Sequence, residues 1–413
     1  MRQDLDRRMD DYADLLVRVG VALQPGQELV VDAPVEAAAF VRRVVRAAYA
    51  AGAGHVTTNW SDDALRRLEY ENVALEWFEE TPSWKREQMD SLAAQGACFL
   101  SLTGSDPAAL DGIDPAKPVA AATARNSQCA VWRHGLDFGE NAWCIASVPV
   151  AAWSRVVFPD AEDDERANER MWEAILATAR ADGGDPVAAW REHDAELAKR
   201  REAMNDLGLD GLRYRSSNGT DLVVGLPAGH VWGGGSMRLA DGREFQPNIP
   251  TEEVFTSPDR LRAEGMVRST MPLVYQGTTI RGMWLRFEAG RVVEFGADEG
   301  RASLERLLAV DEGARRLGEV ALIAKDTPIR RSGLLFYNTL FDENASCHLA
   351  LGKGFAECQR DGSSLDEDEL LARGVNRSHA HVDFMVGADD LSITGLRASG
   401  GEVPVFEDGL WAL

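Results

Sequence analysis

The sequence predicts a chain in two parts: an α/β domain over residues 1–208 with a mainly parallel sheet, and an α+β domain over 209–413 dominated by antiparallel strands. Three observations carry this. β-Rich runs alternate with helical stretches through the first half, and a long charged helical stretch closes that half. Past about residue 210, short β-rich runs follow one another across glycine and asparagine turns. Strands separated by helices pair in parallel, whereas strands joined by short turns form hairpins.

In chain order, PGQELVVDAP (25–34) is a turn, a short β-rich run and a stop. Residues 35–53 follow with alanine, arginine and valine at helical spacing. HVTTNWSD (55–62), ACFLSLTG (97–104), PVAAATA (118–124) and AWCIASVP (142–149) read as further strands. None is followed by a G-x-G-x-x-G or Walker-type loop, so a nucleotide-binding reading has no anchor. AEDDERANERMWEAILATARAD (161–182) and VAAWREHDAELAKRREAMNDLG (187–208) form the charged helical stretch, read as the bridge between domains. Acidic residues lead its first turns, as the helix dipole prefers, and His193 belongs to its solvated face. Beyond it, TDLVVGLP (220–227) and TTIRGMWLRFEAGRVVEFGAD (278–298) read as hairpin strands, interrupted later by a helix over RASLERLLAVDEGARRLG (301–318).

Composition narrows the function. A formal net charge of −23 repels nucleic acid and anionic membrane surfaces. The N-terminal stretch MRQDLDRRMDDYADLLVRVGVAL is amphipathic and acid-rich, unlike a secretory leader, and no run approaches the roughly 18 apolar residues that span a bilayer. The five cysteines are scattered and never spaced as CxxC, which predicts a reducing, cytoplasmic setting without disulfides or a zinc ribbon. Cys347, beside a histidine, is either a reactive thiol or a small buried hydrophobe.

The chemistry concentrates late in the chain. Of seven histidines, His348, His379 and His381 fall near the C-terminus. In HAHVDF, a strand puts His381 and Asp383 on one face, an imidazole and a carboxylate projecting together as a divalent cation requires. FDENASCHLALGKG (341–354) offers Glu343 five residues before His348, convergent if the segment bends at Asn344. Glu319 opens the apolar run EVALIA, where an unpaired carboxylate is costly to bury and asks for a cation. NIPTEEVFTSPD (248–259) holds Glu252 and Glu253, of which at most one faces a given site.

Taken together these stretches resemble one family. TDLVVGLP, H-x-W-x-G-G (His230, Trp232, Gly234), NIPTEEVFTSP, GEVALI, FDENASCHLALG and N-x-S-x-x-H-x-D-F-M-x-G (Asn376 to Gly387) are similar in order, spacing and flanks to the thermophilic-type metallo-aminopeptidases. This is the group of aminopeptidases T and S and PepS. The resemblance implies an aminopeptidase acting on short peptides or small amides. It implies that Glu253, Glu319, His348, His381 and Asp383, joined by Glu343, ligate two divalent metals per chain. Zinc or cobalt is expected, with manganese or magnesium the alternatives. It also implies a homodimer whose sites open into an enclosed cavity. Glu319 doubles as a candidate catalytic group, and His230, Trp232 and His379 as cavity residues. One position departs: where the family places a tyrosine, in an A-Y-P-like context, this chain has Phe355 in GKGFAEC. His379, on the expected strand face of His381, is a candidate replacement donor. Two further readings remain. His348, His381 and Asp383 alone would form the triad of an iron-dependent ring-opening dioxygenase, and Phe355 would suit a weakly active biosynthetic or binding relative.

Overall fold

The computed structural model describes residues 2–275 and 278–413. They form two compact units: Met1–His193 with Ser236–Pro250, and Asp194–Gly235 with Thr251–Leu413. The division falls inside the helix Pro186–Asp206, and the expected boundary at 208/209 lies just past that helix.

The first unit carries a four-stranded sheet of β1 (Glu28–Pro34), β2 (His55–Ser61), β3 (Cys98–Thr103) and β4 (Trp143–Ser147), in the order β2-β1-β3-β4, all parallel. Val30 and Phe99 on one face pack with Ala93 and Ala97. The run PVAAATA (118–124) is not a strand; it lies in the helix Ala116–Gln128. Alanine has the highest helix propensity, and Pro118 sits in the first turn, where no intrahelical donor is lost. The chain returns to this unit at 236–250. There Met237–Arg238 pairs with Glu244–Phe245, and Asn248 bridges to Ile145.

The second unit contains an eight-stranded antiparallel sheet running from Arg291–Gly296 through Trp284–Glu288, Ala263–Arg268, Asp221–Gly225, Gly211–Arg215, Ser392–Leu396 and Glu402–Glu407 to Leu410–Trp411. Beside it lies a four-stranded antiparallel sheet of β5 (Val254–Thr256), β6 (Leu317–Leu322), β7 (His348–Gly352) and β8 (His381–Met385), ordered β8-β7-β6-β5. The expected division into a parallel α/β sheet and an antiparallel α+β region therefore holds. Among the described residues no helix is long and apolar enough to cross a membrane.

The helix expected over 301–318 ends early, at Leu307, and β6 has begun by Leu317. Tertiary contacts take the intervening chain. The Asp311 carboxylate accepts from the amides of Ala314 and His379 and from the Ser378 hydroxyl. Gly313 lies so close to Arg377 that a Cβ would sit 1.9 Å from its carbonyl oxygen.

One irregularity of β6 decides which way its carboxylate points. Leu317 pairs with Leu351, but Glu319 pairs with Ala350, so Gly318 is an extra residue, a bulge. In a regular strand Glu319 would share the core-facing side of Leu317; the bulge turns it to the opposite face. Beyond it, Val320 and Leu322 return to the core with Leu349, Leu351 and Phe384 of the neighbouring strands. Only glycine fits here, because a Cβ at 318 would lie 2.2 Å from the carbonyl oxygen of Lys353 and 2.4 Å from that of Gly352. Gly318→Ala is expected to lower stability by at least about 2 kcal/mol, at the upper part of the range for overpacking. A thermal melt checks this; a variant as stable as wild type would mean the strand pair accommodates the methyl.

Candidate metal centre

The side of this alternation that faces away from the core is a polar face on the four-stranded sheet. On β6 it presents Glu319, on β7 His348, Ala350 and Gly352, and on β8 His381 and Asp383. Glu253 enters from the residue preceding β5, and Glu343 from the one-turn 3-10 helix Glu343–Ala345. That turn supplies the bend between Glu343 and His348, and Asn344 fixes it: its side chain accepts from the Glu252 amide at 2.8 Å and donates to the Leu340 carbonyl at 3.0 Å.

Donor atoms converge in two overlapping groups, Glu253–Glu319–His348 and Glu319–His381–Asp383, each with its atoms within 4.8 Å of one another. Glu319 belongs to both. Glu343 is in neither, although its enclosed carboxyl neighbours Glu253, Asp383 and Glu319 electrostatically. One side of the site is buried, with Glu253 9% exposed, Glu319 5% and His348 1%, while His381 and Asp383 are partly exposed.

The imidazoles are oriented by main-chain carbonyls. His348 Nδ1 lies 2.9 Å from the Glu343 carbonyl oxygen, and His381 Nδ1 lies 2.8 Å from that of Lys353. A carbonyl can only accept, so both Nδ1 atoms carry hydrogen and a neutral ring turns its Nε2 lone pair inward. His348 Nε2 then faces Glu253 Oε2 at 3.6 Å; His381 Nε2 faces Glu319 Oε2 at 3.2 Å and Asp383 Oδ1 at 3.4 Å. Asp383 Oδ1 is buried without a hydrogen bond. Acceptors pointing at acceptors require either protons or cations between them.

Without a cation, protons take that place. Burial, with the Glu319 charge, pushes Glu253 up to about 8. Burial also pushes Glu319 up to about 7, against the pull of His381. Glu343 is driven well above the ordinary carboxylate range by burial and by Glu253. Burial works against a charged His381, but Asp383 and Glu319 outweigh it and raise the ring to about 11. Burial likewise opposes a charged Asp383, and the facing His381 nonetheless holds it below its usual value. The donors are oxygen and imidazole nitrogen, each imidazole held through its second nitrogen, which is the chemistry of a divalent transition-metal site. The residues present fit such ions.

Phe355 is half-buried beside the centre, its ring 4.9 Å from that of His381 and 5.8 Å from that of Phe255. Its amide donates to Ser257 Oγ at 2.8 Å. His230 and Trp232 pack edge to face at 6.4 Å in a segment that bridges to Gln359 and, through Gly233, to Phe255. They border the neighbourhood of Phe355 and belong to neither donor group. His379 is exposed and precedes β8, which begins at His381, so it does not share that strand's face. Cys347 is buried on the core side. Its thiol donates to the Ile323 carbonyl at 3.2 Å, and burial pushes it up to about 12, the environment of a structural thiol. The Glu343 and Lys353 carbonyls were beyond sequence reasoning, since every residue carries one.

A family model for the thermophilic metalloproteases, M29, matches residues 5–411. The chain belongs to that family. The M29 assignment covers both units. Among its relatives, aminopeptidase 2 of Geobacillus stearothermophilus is 45% identical over 407 residues, 98% of either chain. The solved structure of AmpT from Thermus thermophilus superposes with a TM-score of 0.91 at 39% identity, covering 99% of this chain and 100% of that one. A 2,5-dihydroxypyridine dioxygenase from Pseudomonas putida KT2440 superposes with a TM-score of 0.53 at 12% identity, covering 98% of this chain and 96% of that one. That likeness shows a shared fold alone. The ring-opening dioxygenase reading is therefore not favoured, and this M29 protein is a metal-dependent hydrolase.

Proposed function

We propose that this M29 protein is an aminopeptidase that removes N-terminal residues from short peptides, using two divalent cations per chain. Glu253, Glu319 and His348 would hold one cation, and Glu319, His381 and Asp383 the other. The observation that carries the reading is the convergence of two imidazole Nε2 atoms with carboxylate oxygens in two groups that share Glu319, each ring anchored through Nδ1 on a main-chain carbonyl. Ions bound there supply a nucleophilic water at neutral pH and polarise the scissile carbonyl.

The chain's own residues do the rest. The main-chain carbonyls of Glu343 and Lys353 hold both imidazoles in one tautomer and orientation. Glu343, a neighbour of Glu253, Asp383 and Glu319 that belongs to neither donor group, would accept the proton released by the attacking water and pass it to the leaving amine. The free α-amine of a peptide would bind beside the centre, at a cation or at a carboxylate, which favours cleavage at the first bond. Phe355 covers His381 and limits water at that end of the site. Oxygen and nitrogen ligands suit zinc or cobalt, with manganese or magnesium as alternatives. The proposal extends to a homodimer in the cytoplasm, where five free, buried cysteines are at home.

Metal analysis with a peptide screen tests this. Two equivalents of divalent metal per chain are expected, with activity abolished by a chelator and restored by zinc or cobalt. Short peptides with free N-termini should be cleaved, and their N-acetylated forms should not. Equal cleavage of both forms would exclude exopeptidase action, and saturation at one equivalent would exclude the two-cation arrangement.

A further inference from the structure

Ala350 stands at the middle of the metal centre. The register puts Glu319 of β6 directly opposite Ala350, and Ala350 directly opposite Asp383 of β8. Paired residues share a face, as do His348 and Gly352, two positions either way along β7. His381, paired with Gly352, is its diagonal neighbour. Strands two apart set their Cα atoms about 10 Å from each other. Yet ligand atoms of Glu319 and Asp383 lie within 4.8 Å, together with that of His381. Both carboxylates therefore lean inward over the residue between them. That residue is fully buried, and its side chain is a single methyl.

We propose that Ala350 is a positioning residue of the metal centre: its methyl sets the gap across which Glu319 and Asp383 converge with His381, and so determines whether that group takes a cation. The inference rests on the two-cation reading above. A β-branched side chain at 350 fills the gap and holds the two carboxylates apart. Glu319 is held in place by the Glu253–Glu319–His348 group as well, so the displacement falls on Asp383, which that group does not use, and that group retains its ion. Glycine at 350 leaves the gap open.

The test compares full-length wild type, Ala350→Val, Ala350→Ser and Ala350→Gly. Each is stripped with a chelator and titrated with cobalt(II) chloride, read by calorimetry, elemental analysis and the cobalt visible absorption bands. Wild type is expected to take two equivalents. Ala350→Val should lose one, or bind it at least about tenfold more weakly, matching losses caused by displacing groups that support a metal ligand. Ala350→Gly should keep both within about threefold. Circular dichroism and melting of the metal-free proteins report folding independently of activity. If valine prevents folding, Ala350→Ser, larger by one atom, must still weaken one equivalent. Wild-type affinity for both cations in a folded Ala350→Val overturns the proposal, as does an equal loss in Ala350→Gly. A wild type that saturates at one equivalent overturns the two-cation reading instead, whatever the variants do.

Discussion

Glu319→Gln is expected to reduce kcat/KM on aminoacyl chromogenic substrates by a factor on the order of 10³ or more while leaving the chain folded. Displacing a group that merely supports a metal ligand costs about 10–100-fold, and Glu319 is common to both donor groups. Losing it disturbs both sites at once, so the loss should exceed that range. The same substitution has an opposite effect on the metal-free protein. Without cations, Glu319 is a buried carboxylate that burial pushes up to about 7, close to Glu253 and Asp383. Glutamine keeps the shape and removes the charge, so the stripped variant should melt at or above the stripped wild type. Added zinc or cobalt should then raise the melting temperature of the wild type far more than that of the variant, since only the state that binds ligand is stabilised. Low activity with an undiminished metal-induced shift would mean that Glu319 acts on substrate without being a ligand. Retained activity would remove it from the site altogether.

The residues in that argument were legible in the sequence to different degrees, for physical reasons. His381 and Asp383 were readable because strand geometry has a period of two. Glu319 was readable as a carboxylate opening an apolar run, but its direction was not. The bulge at Gly318 reverses the face it points to, and the bulge depends on the approach of Lys353, far along the chain. Glu343 and His348 needed a bend between them, and the one-turn helix at 343–345 provides it. Sequence periodicity failed where tertiary contacts outweighed it. Residues 308–316 look helical, yet the side chain of Asp311 and the tight approach of Gly313 to Arg377 draw them into a connection whose one helical turn is the 3-10 helix Gly313–Arg315. PVAAATA failed differently, because an alanine-rich run has no period to read and its propensity is for helix. The return of 236–250 to the first unit rests on short pairings such as Asn248 with Ile145, which leave no mark on composition. Ala350 is the extreme case: a methyl group announces nothing, and its place emerges only once three strands are in register.

Phe355→Tyr is expected to raise kcat on short peptides by about 10–100-fold with little change in KM. The aromatic ring is already positioned. It packs 4.9 Å from His381 and 5.8 Å from Phe255, and the Phe355 amide is pinned to Ser257 Oγ at 2.8 Å. Tyrosine would keep these contacts and add one hydroxyl at the ring's far end. The position is half-buried, so the added group is not forced into a closed core and the melting temperature should stay near that of wild type. The family resemblance places a tyrosine here as a donor to the tetrahedral intermediate. One such donor contributes about two to three orders of magnitude in mutational tests elsewhere. A donor restored to a scaffold that has evolved without it should recover part of that. The gain belongs in kcat because the interaction strengthens as charge develops on the oxygen, and an interaction present only in the transition state leaves ground-state binding alone. His379 does not supply the missing hydrogen bond from the strand face of His381, because it is exposed and lies before β8 begins. A rise in kcat would therefore identify the missing hydroxyl at Phe355 as limiting for peptide turnover. An unchanged kcat in a folded variant that binds both cations would mean that a hydroxyl at this ring does not meet the developing charge. The substrate this chain has adapted to would then be one whose transition state asks for an apolar wall at residue 355.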